Sequence, residues 1–221
     1  MAKVLICGAS RGIGLELCRQ YSSRGDQVIA TCRSMSDELA ALDVQTVTDF
    51  DVVNSESIHV LERQMDLDTV RIDILVHNAG ILSRESLDNM DFDAIERQFH
   101  VNTLGPLRVV HGLLGNLAEG AKIGLVSSRM GSMRDNESGG RYGYRMSKAG
   151  LNAVAVSLAR DLAERGISVV ALHPGLVATR MTGGNGISPA KAATGLIQRM
   201  DELSLERSGK FMHAEGYELP W

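Results

Sequence analysis

The sequence predicts an α/β protein, a doubly wound sheet of seven mainly parallel strands with helices on both faces, and three observations carry that expectation. Short β-like runs alternate with longer amphipathic stretches throughout the chain, the rhythm of strands joined by helical crossovers. Runs such as Ile74-Leu75-Val76 and Val169-Val170-Ala171-Leu172 are apolar at consecutive positions, as strands covered on both faces must be. A turn containing Gly8, Gly12 and Gly14 sits directly between the first apolar run and the first amphipathic stretch.

In chain order, Lys3 to Cys7 reads as the first strand, and Gly14 to Arg24 as a helix stopped by Gly25. Strands follow at Gln27 to Cys32, Val44 to Thr48 and Asp73 to His77. Phe92 to Leu114 is a helical stretch, Lys122 to Ser127 a strand, and Leu151, Val154, Leu158 and Leu162 recur at helical spacing before the stop at Gly166. Ser168 to His173 and a weaker run at Lys210 to Met212 complete the seven strands. The Gly-, Asn- and Ser-rich stretches Arg134 to Gly140 and Thr182 to Ser188 read as surface loops. The 221 residues suit one domain, 1–221, within which 181–203 is expected to form a substrate-loop and lid region.

Composition narrows the function. A net charge of −4 speaks against a nucleic-acid surface, and the first apolar run is too short for a signal sequence or a membrane span. Cys7, Cys18 and Cys32 are odd in number and lack paired spacing, which points to neither a disulfide framework nor a metal site but to a reducing, cytoplasmic setting.

The turn Gly8-Ala9-Ser10-Arg11-Gly12-Ile13-Gly14 has the features of a dinucleotide cradle, because glycine lets backbone N–H groups approach a pyrophosphate where the helix dipole favours anions. The second strand ends Ala30-Thr31-Cys32-Arg33, with no acid to bond a ribose hydroxyl. Arg33 and Arg11 instead offer guanidinium forks suited to a 2′-phosphate, so NADP(H) is the expected cofactor. At the end of the fourth strand, the small Asn78-Ala79-Gly80 would let the backbone pass close to a ribose.

Tyr144 and Lys148 stand four apart, on one helix face, so the ammonium can favour the ionised phenol; Tyr142 has Met146 at the matching position and no such help. Ser127 and Ser128 end a strand, and alternation lets only one of them reach the site. Pro106 lacks an N–H, which would free the carbonyl of Asn102 for water if the helix runs through.

Taken in order, the glycine spacing, His77-Asn78-Ala79-Gly80, Asn102, Ser128, Tyr144 with Lys148, and Pro174-Gly175 resemble the short-chain dehydrogenase/reductase family over nearly the whole chain. The resemblance implies a Rossmann-type fold and reversible reduction of an aldehyde or ketone by NADPH. Tyr144 would be the proton donor and acceptor, Ser128 would orient the carbonyl, Lys148 would hold the nicotinamide ribose, and Asn102 would anchor a relay water. It also implies adenine contacts from Asp51 and Val52, with Asp49 competing for the first, and carboxamide contacts from Pro174-Gly175 through Val177 and Thr179.

Cys7 and His77 replace the usual threonine and asparagine, and His77 reads as a structural residue. The spacing of Ser128 and Tyr144, sixteen positions apart, with the ending Gly216 to Trp221, is similar to that of the sniffer and C-factor type of carbonyl reductase. The expected partners are a small carbonyl or alcohol substrate and further copies of the chain in a homo-oligomer, dimer or tetramer. The competing functional class is an NADP-binding signalling or sensor protein with vestigial catalysis.

Overall fold

A computed structural model describes residues 1–221. The strands are β1 (Lys3–Cys7), β2 (Gln27–Thr31), β3 (Gln45–Val47), β4 (Ile72–His77), β5 (Leu117–Val126), β6 (Ser168–His173) and β7 (Lys210–His213). They form one sheet in the order β3-β2-β1-β4-β5-β6-β7, and every pairing is parallel, so the expected sheet is present without an antiparallel member. β5 begins five residues before the expected start, and its register against β4 shifts between Ile72 and Ile74.

The helices are α1 (Gly12–Ser23), α2 (Asp37–Ala40), α3 (Ser55–Leu67), α4 (Phe92–Phe99), α5 (Gly105–Gly112), α6 (Tyr142–Asp161) and α7 (Pro189–Asp201). Strand alternation sends Leu5 and Cys7 to one face and Val4 and Ile6 to the other, and each face has its own core. Ile58 and Leu61 of α3, Val109 of α5 and Leu151 of α6 fill the first. Leu17 and Tyr21 of α1 with Leu196 and Met200 of α7 fill the second.

Two expectations need correction. Residues 181–203 are not one lid: Pro189–Asp201 is the helix α7, whose Ala192, Ala193 and Leu196 are fully buried, leaving only the turn at Arg180–Thr182 and the loop to Ser188 free of packed secondary structure. Ser188 accepts from the Lys191 N–H and Pro189 fills the first turn, so polar loop composition runs straight into a capped helix. The stretch Phe92 to Leu114 is likewise not one helix, because His100–Leu104 forms a π-helical turn in which the Gly105 N–H donates to His100 O, between α4 and α5.

Candidate active site

The strand order reverses between β1 and β4, which opens a crevice at their carboxyl ends. Gly8 leaves β1 with φ +83°, and a Cβ on it would lie 2.8 Å from the Ala79 backbone, so the two exit loops touch in a way only glycine permits. A Cβ on Gly14 would collide with Gly8 O, and Asn78 Nδ2 donates to that same oxygen at 3.0 Å. The turn is therefore wound tightly enough that the N–H groups of Ser10, Arg11, Gly12, Ile13 and Gly14 have no protein acceptor, with no acidic side chain in the first turn of α1. Such a helix start can hold a phosphate. Arg11 and Arg33 are exposed beside it and make no ion pair.

Asp51 lies where β3 leads into α3, its Oδ1 accepting from the Val53 N–H at 3.1 Å, while the Val52 side chain is buried against Gly105. The alternative acid, Asp49, has φ +56° and accepts from Thr48 Oγ1 at 3.3 Å.

The two serines separate as alternation requires. Ser127 Oγ donates to Asn152 Oδ1 at 2.6 Å inside the protein, whereas Ser128 Oγ accepts from the Met130 N–H at 3.2 Å and faces Tyr144. Tyr144 is almost wholly buried, and that burial raises its pKa, with Ser128 hydrogen bonding and then the Arg141 charge acting to lower it. Lys148 Nζ lies 5.8 Å from the centroid of the Tyr144 ring and donates to Val126 O at 2.8 Å. Burial pulls its pKa down to about 7. Thus, in the protein alone, Ser128 and Arg141 favour the ionised phenol against the cost of burial.

Asn102 is fully buried in the π-turn. Its Oδ1 accepts from the Ile81 N–H and its Nδ2 donates to Ile81 O, both at 2.8 Å, and Nδ2 also donates to Ser147 Oγ at 3.0 Å. It therefore staples the loop after β4 to the helix that carries Tyr144. Gly80 completes the contact, since a Cβ there would lie 3.2 Å from Asn102 Oδ1 and 3.6 Å from Lys148 Nζ. His77, beneath them, is buried with no partner for Nε2, and burial followed by the Lys148 charge drives its pKa down to about 3. It is structural in being neutral, but Nε2 makes no local bond.

After β6, Pro174 and Gly175 turn the chain toward the same crevice, and the Val177 N–H, although buried, has no protein acceptor. Val177 pairs with Ile187 across the 182–188 loop, and Thr182 Oγ1 accepts from the Thr179 N–H at 3.1 Å. The unpaired N–H offers a ready donor to an amide carbonyl.

Sequence reasoning missed three residues of this site. Ser147 Oγ links Asn102 to Tyr144 O. Glu85 is a buried carboxylate that accepts from Ser83 Oγ, from Gln98 Nε2 at 2.9 Å and from the Gly143 N–H at 3.3 Å, and so caps α6 from a distant loop. Arg141 begins α6 with a left-handed backbone and offers no side-chain cap. Gly139-Gly140 before it was a visible turn signal; the long-range role of Glu85 had none.

Comparison with known proteins agrees with this geometry. The chain is 42% identical to 1-hydroxy-2-glutathionyl-2-methyl-3-butene dehydrogenase of Rhodococcus sp. (strain AD45) over the full length of both. It is 42% identical to the C-signal protein of Myxococcus xanthus over 68% of this chain and 93% of that one. Its fold superposes on the carbonyl reductase Sniffer of D. melanogaster with TM-score 0.92 and 26% identity, covering all of both chains. The NADPH-bound carbonyl reductase from chicken fatty liver gives TM-score 0.92 and 29% identity, covering 100% of this chain and 99% of that one. Residues 2–188 match the short chain dehydrogenase family, and with the crevice and the Ser128, Tyr144 and Lys148 cluster in place, the chain belongs to that family of oxidoreductases.

Proposed function

We propose that this chain reduces an aldehyde or ketone with NADPH, and oxidises the matching alcohol in reverse. The observation that carries this reading is the convergence of Ser128, Tyr144 and Lys148 beside the Gly8 and Gly80 loops, at the mouth of the crevice.

The residues present fit the cofactor. The free N–H groups from Ser10 to Gly14 would hold the pyrophosphate, and Arg11 and Arg33 the 2′-phosphate. Asp51 and Val52 would face the adenine, Asn78 to Gly80 and Lys148 the ribose, and Val177 and Thr179, after Pro174-Gly175, the carboxamide. Bound NADPH supplies hydride. Ser128 orients the substrate oxygen, and Tyr144 delivers the proton to it. Lys148, coordinated by Val126 O, holds its own proton loosely enough to exchange it near neutrality. The Asn102 carbonyl, which Pro106 denies an i+4 donor, would bind a water that replenishes that proton.

The apolar outer face of α4 and α6, where Phe92, Phe99 and Met146 are exposed, supports a homo-oligomer. The alternative of a non-catalytic NADP-binding sensor has the intact proton-transfer residues against it.

The test follows NADPH absorbance with a panel of aldehydes and ketones. Tyr144→Phe is expected to lower kcat by about 10²- to 10⁴-fold, the usual share of a positioned acid, while NADPH still binds. Tight binding without turnover by the native protein would favour the sensor instead.

A further inference from the structure

The segment joining Ser128 to Tyr144 is cationic in an otherwise acidic protein. Residues 129–145 carry Arg129, Arg134, Arg141 and Arg145 against Asp135 and Glu137, in a chain of net charge −4. Two of these arginines are already engaged. Arg129 pairs with Asp135 at 3.5 Å and donates to Tyr217 Oη at 3.0 Å. Arg145 donates to the carbonyls of Gly139, Gly140 and Met130 and to Ser138 Oγ.

Arg141 differs from both. Gly139, Gly140 and Arg141 are left-handed in succession, with φ +59°, +62° and +51°, a conformation a non-glycine residue keeps only when it is held there. The hold is the Arg141 N–H, which donates to Glu85 O at 2.9 Å. Its guanidinium has no carboxylate partner, and its one polar contact is Nη1 to Met130 Sδ at 3.7 Å. Glu85, the buried acid of this corner, spends its oxygens on Ser83, Gln98 and Gly143. The free fork stands one helical turn before Tyr144, and its contact with Met130 sets it against the turn that follows Ser128.

We infer that Arg141 is a specificity residue that binds a carboxylate carried by the substrate, so that the substrates are carbonyl compounds, and the matching alcohols, bearing an anionic group. The inference rests on the reductase reading for its chemistry, but the anion site itself does not depend on turnover. A guanidinium without a carboxylate partner, at the start of the helix that carries the proton donor, can pair with a carboxylate in two parallel hydrogen bonds while the carbonyl reaches Ser128 and Tyr144.

The experiment compares 4-carboxybenzaldehyde with its neutral analogue methyl 4-formylbenzoate as NADPH-dependent substrates. The native protein is expected to favour the carboxylate in kcat/KM, with added salt eroding the preference. Arg141→Gln is expected to reduce the ratio of the two kcat/KM values by about tenfold, and Arg141→Lys to restore part of it. Equal use of both aldehydes by the native protein, or an unchanged ratio in Arg141→Gln, would overturn the inference.

Binding of 4-(hydroxymethyl)benzoate to the NADP-loaded protein, measured by calorimetry, separates the two proposals. If no aldehyde is reduced but Arg141→Gln weakens this binding about tenfold, the anion site stands and the reductase reading falls. If binding is the same in native protein and variant, the anion site falls whatever the turnover.

Discussion

Tyr144 and Lys148 share one buried environment, and burial moves their proton affinities in opposite directions. The phenol holds its proton more firmly, whereas the ammonium releases its own at about pH 7. For Lys148 this has a thermodynamic sign. Between about 7 and the ordinary 10.5, the unfolded chain binds a proton that the native protein lacks, so stability rises with pH across that window. The slope contributed approaches about 1.4 kcal/mol per pH unit. Lys148→Met removes the term, so the melting temperature of the native protein is expected to gain on that of the variant as pH is raised above neutrality; parallel profiles would contradict the assignment. The lysine and tyrosine were legible from their spacing alone. The electrostatic setting was not, because burial and the approach of Arg141 belong to the folded chain.

At the scale of elements, α6 is positioned by groups outside it. Its N-cap Arg141 gives no side-chain bond, and Glu85 supplies the carboxylate that the helix start requires. Gly143 sits where a Cβ would collide with Gln98, so α6 packs against α4 at backbone distance just before the Tyr144 turn. Glu85→Ala leaves the Gly143 N–H and Gln98 amide buried without their acceptor, and is expected to destabilise the fold by about 2–3 kcal/mol in urea unfolding. Because the same bonds orient Tyr144, kcat should fall as well, and Glu85→Gln should recover part of both losses. A variant as stable and active as the native protein would refute this role.

Local pattern revealed the helices that end at Gly25 and Gly166 because both carry stop signals. It concealed α7, whose buried stripe is built from alanines as much as from leucine and methionine. Small residues reach the core there because α7 lies against α1, with Arg24 bonded to Asp201 at 2.9 Å across the contact.

For the whole molecule, the seven parallel strands were legible in the alternation of runs, while their order was not; the glycine turn leaves β1 beside the point where that order reverses. The role proposed for Arg11 and Arg33 draws on two separate loops, which Ser36 Oγ joins by donating to Ser10 O at 2.7 Å. Ligand binding couples that role to global stability. NADP⁺ at a hundred times its Kd is expected to stabilise the protein by about 2.7 kcal/mol, read as a thermal shift. NAD⁺ at the same concentration should shift it less, and Arg33→Ala should narrow the gap. An equal response of the native protein to both dinucleotides would remove the argument from the arginines. No helix is long and apolar enough to cross a membrane.

The five-residue π-turn between α4 and α5 also limits how this chain can vary in length. An ordinary helix advances about 100° per residue. Dropping one residue from the turn would let the backbone relax toward a continuous α-helix, short of the bond that Pro106 cannot donate. The same change would rotate whatever precedes it by that angle against everything that follows, swinging Asn102 off both Ile81 and Ser147. The chain could then fold and yet lose its staple, so the surplus residue is a spacer kept for alignment at some expense to regular winding.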